Sequence, residues 1–243
     1  MTVPVAASNG VGSTFDEHIL GEQPGQRTAR TAGLREPIGA GTQVPVGDGT
    51  AEVLVFDGIA GPYAEDSPDS PLSNHLNWYG WTKSEGERLV AERDPDALIL
   101  RIAFPYREAL PLKVDFARWL GARYREGKLP PLFSDQQITP TWIPDVTRAL
   151  ATLIPSRASG ILHVVSPEVT SPFEFGRELL TKLDGVPPTV VAGSMTSGPP
   201  VAGRAPRPSK GGLRSIRAST LGVSLTSWRE GIEYLVREAK AGA

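Results

Sequence analysis

Residues 55–87 read VFDGIAGPYAEDSPDSPLSNHLNWYGWTKSEGE. An apolar run begins upstream at Ala51, and residues 51–56 (AEVLVF) predict a short strand that ends at the turn residues Asp57-Gly58. After a Pro-rich connection, residues 79–94 have the pattern of a helix. Tyr79 and Lys83, four apart, fall on one face of it. A lysine ammonium beside a phenol favours the phenolate. A tyrosine placed in this way can pass its proton to a carbonyl oxygen while a hydride arrives at carbon. Spacing alone leaves this open against two residues on a solvated helix face. The same spacing recurs at Tyr124 and Lys128, but there Gly127 intervenes at an expected helix end and no strand leads in.

Working outward, residues 97–103 (ALILRIA) and 160–165 (GILHVV) are two further buried-strand candidates. Helices are expected at about 114–126, 145–154, 171–183 and 227–240. Ser171 with Glu174 and Ser227 with Glu230 have capping-box spacing, and Pro172 sits at a first helical position. Strands alternating with helices predict an α/β, Rossmann-like domain around a mostly parallel sheet, with ligands at the carboxyl ends of the strands. Two segments lack such periodicity. Residues 1–50 hold 9 Gly and 4 Pro and no lysine, and 12 of the 29 residues in 184–212 are Gly or Pro, so the latter reads as a long surface loop or linker.

Composition narrows the function classes. The chain has 243 residues and a formal net charge of -2, too little positive charge to make nucleic acid or an anionic membrane a main partner. With no cysteine, thiolate metal sites and a cysteine nucleophile are excluded. His18, His75 and His163 are too dispersed to argue a metal site. The opening MTVPVAASNG lacks signal-peptide character, and a cytoplasmic protein is expected.

The ordered set VFDG (Val55 to Gly58), GPY (Gly61 to Tyr63), the acidic-proline segment Glu65 to Pro68 and YGWTKSEGE (Tyr79 to Glu87) resembles the dTDP-4-dehydrorhamnose reductases of the extended short-chain dehydrogenase/reductase superfamily. The likeness continues through Leu100-Arg101-Ile102, Phe104-Pro105-Tyr106, Asp135-Gln136, Pro140-Thr141, Ile161 to Val164, Ser171 to Phe175 and Arg207-Pro208, covering roughly residues 53–240. The resemblance implies Tyr79 as general acid, with Lys83 tuning it and holding the nicotinamide ribose of NADPH (or NADH). It also places Asp135, Gln136, Thr141 and Arg207 around a dTDP-linked nucleotide sugar. An arginine there is physically apt, because its planar fork matches phosphate oxygens. Taken singly, Asp135 and Gln136 also read as a polar turn, Arg207 as a solvated cation, and Trp142, Phe104 and Trp119 as core aromatics.

The resemblance implies three regions. Residues 1–50 would be a remnant of the dinucleotide-binding half, and 51–165 the later Rossmann half with the tyrosine helix. Residues 166–243, with a contribution from 104–140, would form a smaller substrate-binding lobe, and a homodimer is expected. At the family's glycine turn this chain has Ala6, Asn9 and Gly12, within VPVAASNGVGS. At the family's hydroxyl-bearing strand it has Ala51-Glu52-Val53-Leu54, and Ser73 to Leu76 is a four-residue insertion. Each βαβ unit takes about 30 residues, so a complete first half would need about 90, against 50 ahead of this strand; weak or absent NADPH affinity is expected. Three functions follow: a reductase of a nucleotide-linked 4-keto sugar, a non-catalytic binding protein like the regulatory subunit of methionine adenosyltransferase, or a shifted reading frame over residues 13–50.

Overall fold

The computed structural model describes residues 55–68, 77–107, 114–185, 188–197 and 206–241. The tyrosine helix, α1 (Trp78–Arg93), leads through a tight turn into β1 (Leu98–Arg101), with the Ala97 N–H donating to the Asp94 carbonyl at 3.0 Å. Then come α2 (Phe116–Arg125), β2 (Leu132–Phe133), α3 (Ile143–Leu153), β3 (Gly160–His163), α4 (Pro172–Asp184), β4 (Ala192–Gly193), α5 (Ile216–Thr220) and α6 (Trp228–Ala241). β1 pairs in parallel with β3, Leu98 facing Gly160 and Arg101 facing His163. The apolar run of β1 suits a strand covered on both faces. β2 and β4 form a second parallel pair.

Local chemistry sets the helix ends. The Glu174 N–H donates to Ser171 Oγ at 3.1 Å, and Gly185 closes α4 with φ 75°, a left-handed conformation suited to glycine. At α6 the capping box is reciprocal: the Ser227 N–H donates to Glu230 Oε2 at 3.0 Å, and the Glu230 N–H to Ser227 Oγ at 3.2 Å. α2, α4 and α6 enclose a core with Tyr106, Leu120, Trp142, Phe175, Leu179, Trp228 and Ile232. α3 and α5 cover the β1–β3 pair through Leu98, Ala149, Leu153, Leu162 and Ala218. Between them, Val55, Phe56, Tyr63, Phe104 and Ile138 form a third cluster, and Phe116 touches both this cluster and the helical core.

Two expectations need correction. Of the strand expected at 51–56, only Val55 and Phe56 lie within the described residues; both are buried, but neither belongs to a strand. Their place in the fold comes from packing, with the Phe56 ring stacked on Tyr63 at 4.2 Å. The segment 184–212 is also more than a surface loop. It contains β4, and from Ser209 onward it is laced into the fold: the Lys210 N–H donates to the Gly58 carbonyl, Tyr63 N–H to Gly212, Arg214 N–H to Tyr63 and Gln137 N–H to Ser209, at 2.7 to 2.9 Å. Backbone pairing of this kind depends on the partner segment, so a Gly/Pro-rich composition conceals it.

The lacing explains Gly61. A Cβ there would lie 2.1 Å from the Lys210 carbonyl oxygen, so only a glycine lets the two backbones approach. Gly61→Ala is expected to destabilise the protein by about 2 kcal/mol. Urea unfolding checks this, and an unchanged midpoint would mean that the 209–214 segment yields freely.

Candidate functional site

α1 has little apolar surface directed inward: Gly80 is its one buried residue, and Trp78, 69% exposed, stacks on Trp81 at 4.4 Å. Its start is fixed by Asn77, whose Oδ1 accepts from the Gly80 N–H at 2.9 Å. Tyr79 and Lys83 share a face as the spacing predicts, and the Lys83 ammonium lies 5.2 Å from the centroid of the Tyr79 ring. Both are half-buried. One turn further along the same face, Glu87 reaches Arg101 at the end of β1, with Oε2 2.6 Å from Nη2. Eight residues at about 1.5 Å separate Glu87 from Tyr79, so the tyrosine stands roughly 12 Å beyond that ion pair. The helix and strand join through a tight turn and therefore run antiparallel. That puts Tyr79 on the carboxyl side of the sheet. Tyr124 and Lys128 form no such pair, because α2 ends at Arg125 and Gly127 has φ 65°.

The other expected site residues divide by what their side chains touch. Gln136 is buried, and its Nε2 donates to the Pro208 carbonyl at 3.2 Å, so it meets the loop that carries Arg207. Asn77 reaches the same loop from the other side, Nδ2 donating to the Pro206 carbonyl at 3.0 Å. Thr141 is fully buried; its Oγ1 accepts from the Ala103 N–H at 3.0 Å and donates to the Val164 carbonyl at 2.9 Å, joining the ends of β1 and β3. Its hydroxyl is used by the fold. Asp135 is exposed and turned to the loop after β4, where Ser194 Oγ donates to Oδ2 at 2.6 Å and the Met195 N–H donates to Oδ1 at 2.9 Å. Arg207 is exposed at the surface. Trp142 and Phe104 are buried in the core, and Trp119 packs against it. Ala6, Asn9 and Gly12, with Ala51 to Leu54, lie outside the described residues.

Charges near the site follow from these contacts. The Ser194 hydroxyl, then the Met195 N–H, hold the Asp135 carboxyl below its ordinary value of 3.8. In the GPY turn the Tyr63 hydroxyl donates to Asp57 and accepts from the Ile59 and Ala60 N–H groups at 2.9 Å each. Burial, then this bond, raises the Tyr63 phenol, and the same bond lowers Asp57. Tyr63 therefore organises the turn and has no proton to spare near pH 7. For Asp135, a native value below the unfolded one means that its contribution is full above about 3.8 and is lost as pH falls through the native value. An NMR titration is expected to place the Asp135 carboxyl under 3.8, with Asp135→Asn loosening residues 194–197 at neutral pH. A value at or above 3.8 would show that the loop does not hold the carboxylate.

Contacts that the sequence did not show are those of Asn77, of Glu87 paired with Arg101, and of Glu65. The last accepts from the Ile216 N–H at 3.1 Å and the His163 N–H at 3.2 Å, tying the acidic-proline segment to α5 and β3. Arg101 had a signal, since an arginine inside an apolar strand requires a carboxylate partner.

A family model for the RmlD substrate binding domain matches residues 52–241. A probable low-salt glycan biosynthesis reductase of Haloferax volcanii is 34% identical over 134 residues, 54% of this chain and 43% of that protein. A dTDP-4-dehydrorhamnose reductase of Mycolicibacterium smegmatis is 31% identical over 182 residues, 72% of this chain and 51% of that protein. Methionine adenosyltransferase 2 subunit beta of Danio rerio is 32% identical over 179 residues, 71% of this chain and 53% of that protein. The chain thus spans about half the length of the curated relatives it matches. Among solved structures, a dTDP-4-dehydrorhamnose reductase of Clostridium acetobutylicum superposes with TM-score 0.66 at 25% identity, covering 77% of this chain and 64% of that one. The Rossmann-like α/β fold expected from the strand and helix pattern is the fold of these neighbours. Among the described residues, no helix is long and apolar enough to cross a membrane.

Proposed function

The chain belongs to the RmlD substrate binding domain family, and on that premise we propose that it binds a dTDP-linked 4-keto sugar and reduces it with NADPH, Tyr79 acting as general acid. The observation that carries this is the Tyr79–Lys83 pair on α1, whose N-cap also holds the Arg207 loop. The chemistry of the donor set fits a nicotinamide ribose, since a lysine ammonium offers three N–H donors to the sugar hydroxyls. When bound, NADPH supplies the hydride. Tyr79 Oη gives its proton to the keto oxygen as that oxygen becomes an alkoxide, and the remaining phenolate is stabilised by the Lys83 ammonium. Arg207 would pair with the diphosphate. Gln136 would hold the Arg207 loop, while Asp135 and Thr141 shape the wall behind it. Residues 166–243, with 104–140, would form the substrate lobe around the α2–α4–α6 core.

A second reading is a binding subunit without turnover. It is favoured by the absence of a hydroxyl from Ala51 to Leu54 and by the similarity to methionine adenosyltransferase 2 subunit beta. One experiment separates the two. The full chain is titrated calorimetrically with dTDP and with NADPH, then mixed with a dTDP-4-keto-6-deoxy sugar while NADPH absorbance is followed. Binding with oxidation supports the reductase, and dTDP binding without oxidation supports the binding subunit. No binding of either nucleotide would reject both.

A further inference from the structure

Pro206 and Pro208 flank Arg207, and neither has an N–H, so each offers the backbone only its carbonyl. From Ser209 onward the chain is held by the backbone bonds to Gly58, Tyr63 and Gln137. Ahead of that lacing, each of the two proline carbonyls takes an N–H from a side-chain amide. Asn77 Nδ2 donates to Pro206 at 3.0 Å and Gln136 Nε2 to Pro208 at 3.2 Å. The two amides belong to different walls of the site: Asn77 caps the helix that carries Tyr79, and Gln136 stands after β2 beside Asp135. Asn77 also uses both ends of its amide, because Oδ1 accepts from the Gly80 N–H at 2.9 Å. A serine caps a helix about as well as an asparagine but carries no amide donor. The residue type therefore answers to the loop as well as to the helix.

We propose that Asn77 and Gln136 are positioning residues that clamp the Arg207 loop from both sides, fixing the arginine relative to the start of the Tyr79 helix for a nucleoside diphosphate. The ligand named here rests on the function proposed above; the clamp itself does not. Two measurements on the full chain separate them.

The first is hydrogen exchange of the Lys210 amide, which donates to the Gly58 carbonyl at 2.9 Å beside the clamped stretch, in Asn77→Ser, which keeps the cap, and in Gln136→Met, which keeps the volume and removes the donor. About tenfold faster exchange there is expected, with α1 amides unchanged in Asn77→Ser, because one net hydrogen bond is worth about a factor of ten in local opening. Unchanged exchange at Lys210 in both variants would overturn the clamp. The second is calorimetric binding of dTDP. Arg207→Ala is expected to weaken it about tenfold and Asn77→Ser about threefold, while the double variant binds no worse than Arg207→Ala alone. Additive losses would mean that Asn77 does not act through Arg207 and would overturn the proposal. If the unaltered chain binds no dTDP, the function proposed above fails, and the exchange result still decides the clamp.

Discussion

Tyr79→Phe is expected to lower turnover of a dTDP-linked 4-keto sugar by about 10²–10⁴-fold and to leave the fold and the affinity for dTDP unchanged. The substitution keeps the ring that lies beside the Lys83 ammonium and removes only the hydroxyl. Packing of the ring is conserved, so the variant should still fold, which circular dichroism checks. Lys83→Ala should lower turnover as well, because the phenolate left after proton transfer then forms without a neighbouring cation. Tyr124→Phe is the internal control. It has the same spacing to a lysine, but its helix stops at Arg125 and Lys128 stands beyond a left-handed glycine. Equal losses at Tyr79 and Tyr124, or none at Tyr79, would reduce the YGWTK stretch to a helix face.

What could be read before folding was whatever depends on near neighbours in the chain. The β1 and β3 runs, the capping boxes at Ser171 and Ser227 and the Tyr79–Lys83 face each need fewer than eight consecutive residues to be recognised, and each stands within two or three residues of its expected place. What escaped depends on partners distant in sequence. β2 and β4 are two residues each, too short for any period, and exist because Leu132 meets Ala192. Glu65 was legible as part of the acidic-proline segment, but its contacts were not, since its partners stand about 100 and 150 residues downstream. The residues expected around a substrate show a further limit. Asp135, Gln136 and Thr141 were legible as polar residues in the right order, but their hydrogen bonds go to Ser194, Pro208, Ala103 and Val164. The resemblance set them around a nucleotide sugar, and sequence could not say whether a side chain meets a ligand or holds a neighbouring loop.

Glu87→Ala is expected to cost about 3–5 kcal/mol, because it takes the carboxylate away from a buried guanidinium. Arg101 is 1% exposed, and Glu87 gives it three contacts, Oε2 to Nη2 at 2.6 Å, Oε1 to Nε at 3.0 Å and Oε2 to Nε at 3.2 Å. The guanidinium carbon also lies 5.1 Å from the centre of the Phe56 ring, so water cannot readily replace the lost carboxylate on that side. The pair ties α1 to β1 on the face that carries Tyr79, and Gly80 is the one buried residue of α1. A fall in melting temperature of roughly 6–20 °C follows for a domain of this size. The destabilisation arises from keeping a buried guanidinium without this carboxylate, so removing both groups should undo much of it. Glu87→Leu with Arg101→Met is accordingly expected to be more stable than Glu87→Ala alone. If the double variant retains its fold but turns over more slowly than the parent, the pair also holds the tyrosine helix in register with the sheet. If Glu87→Ala melts within about 2 °C of the parent, Arg101 is compensated elsewhere and α1 is not anchored through this pair.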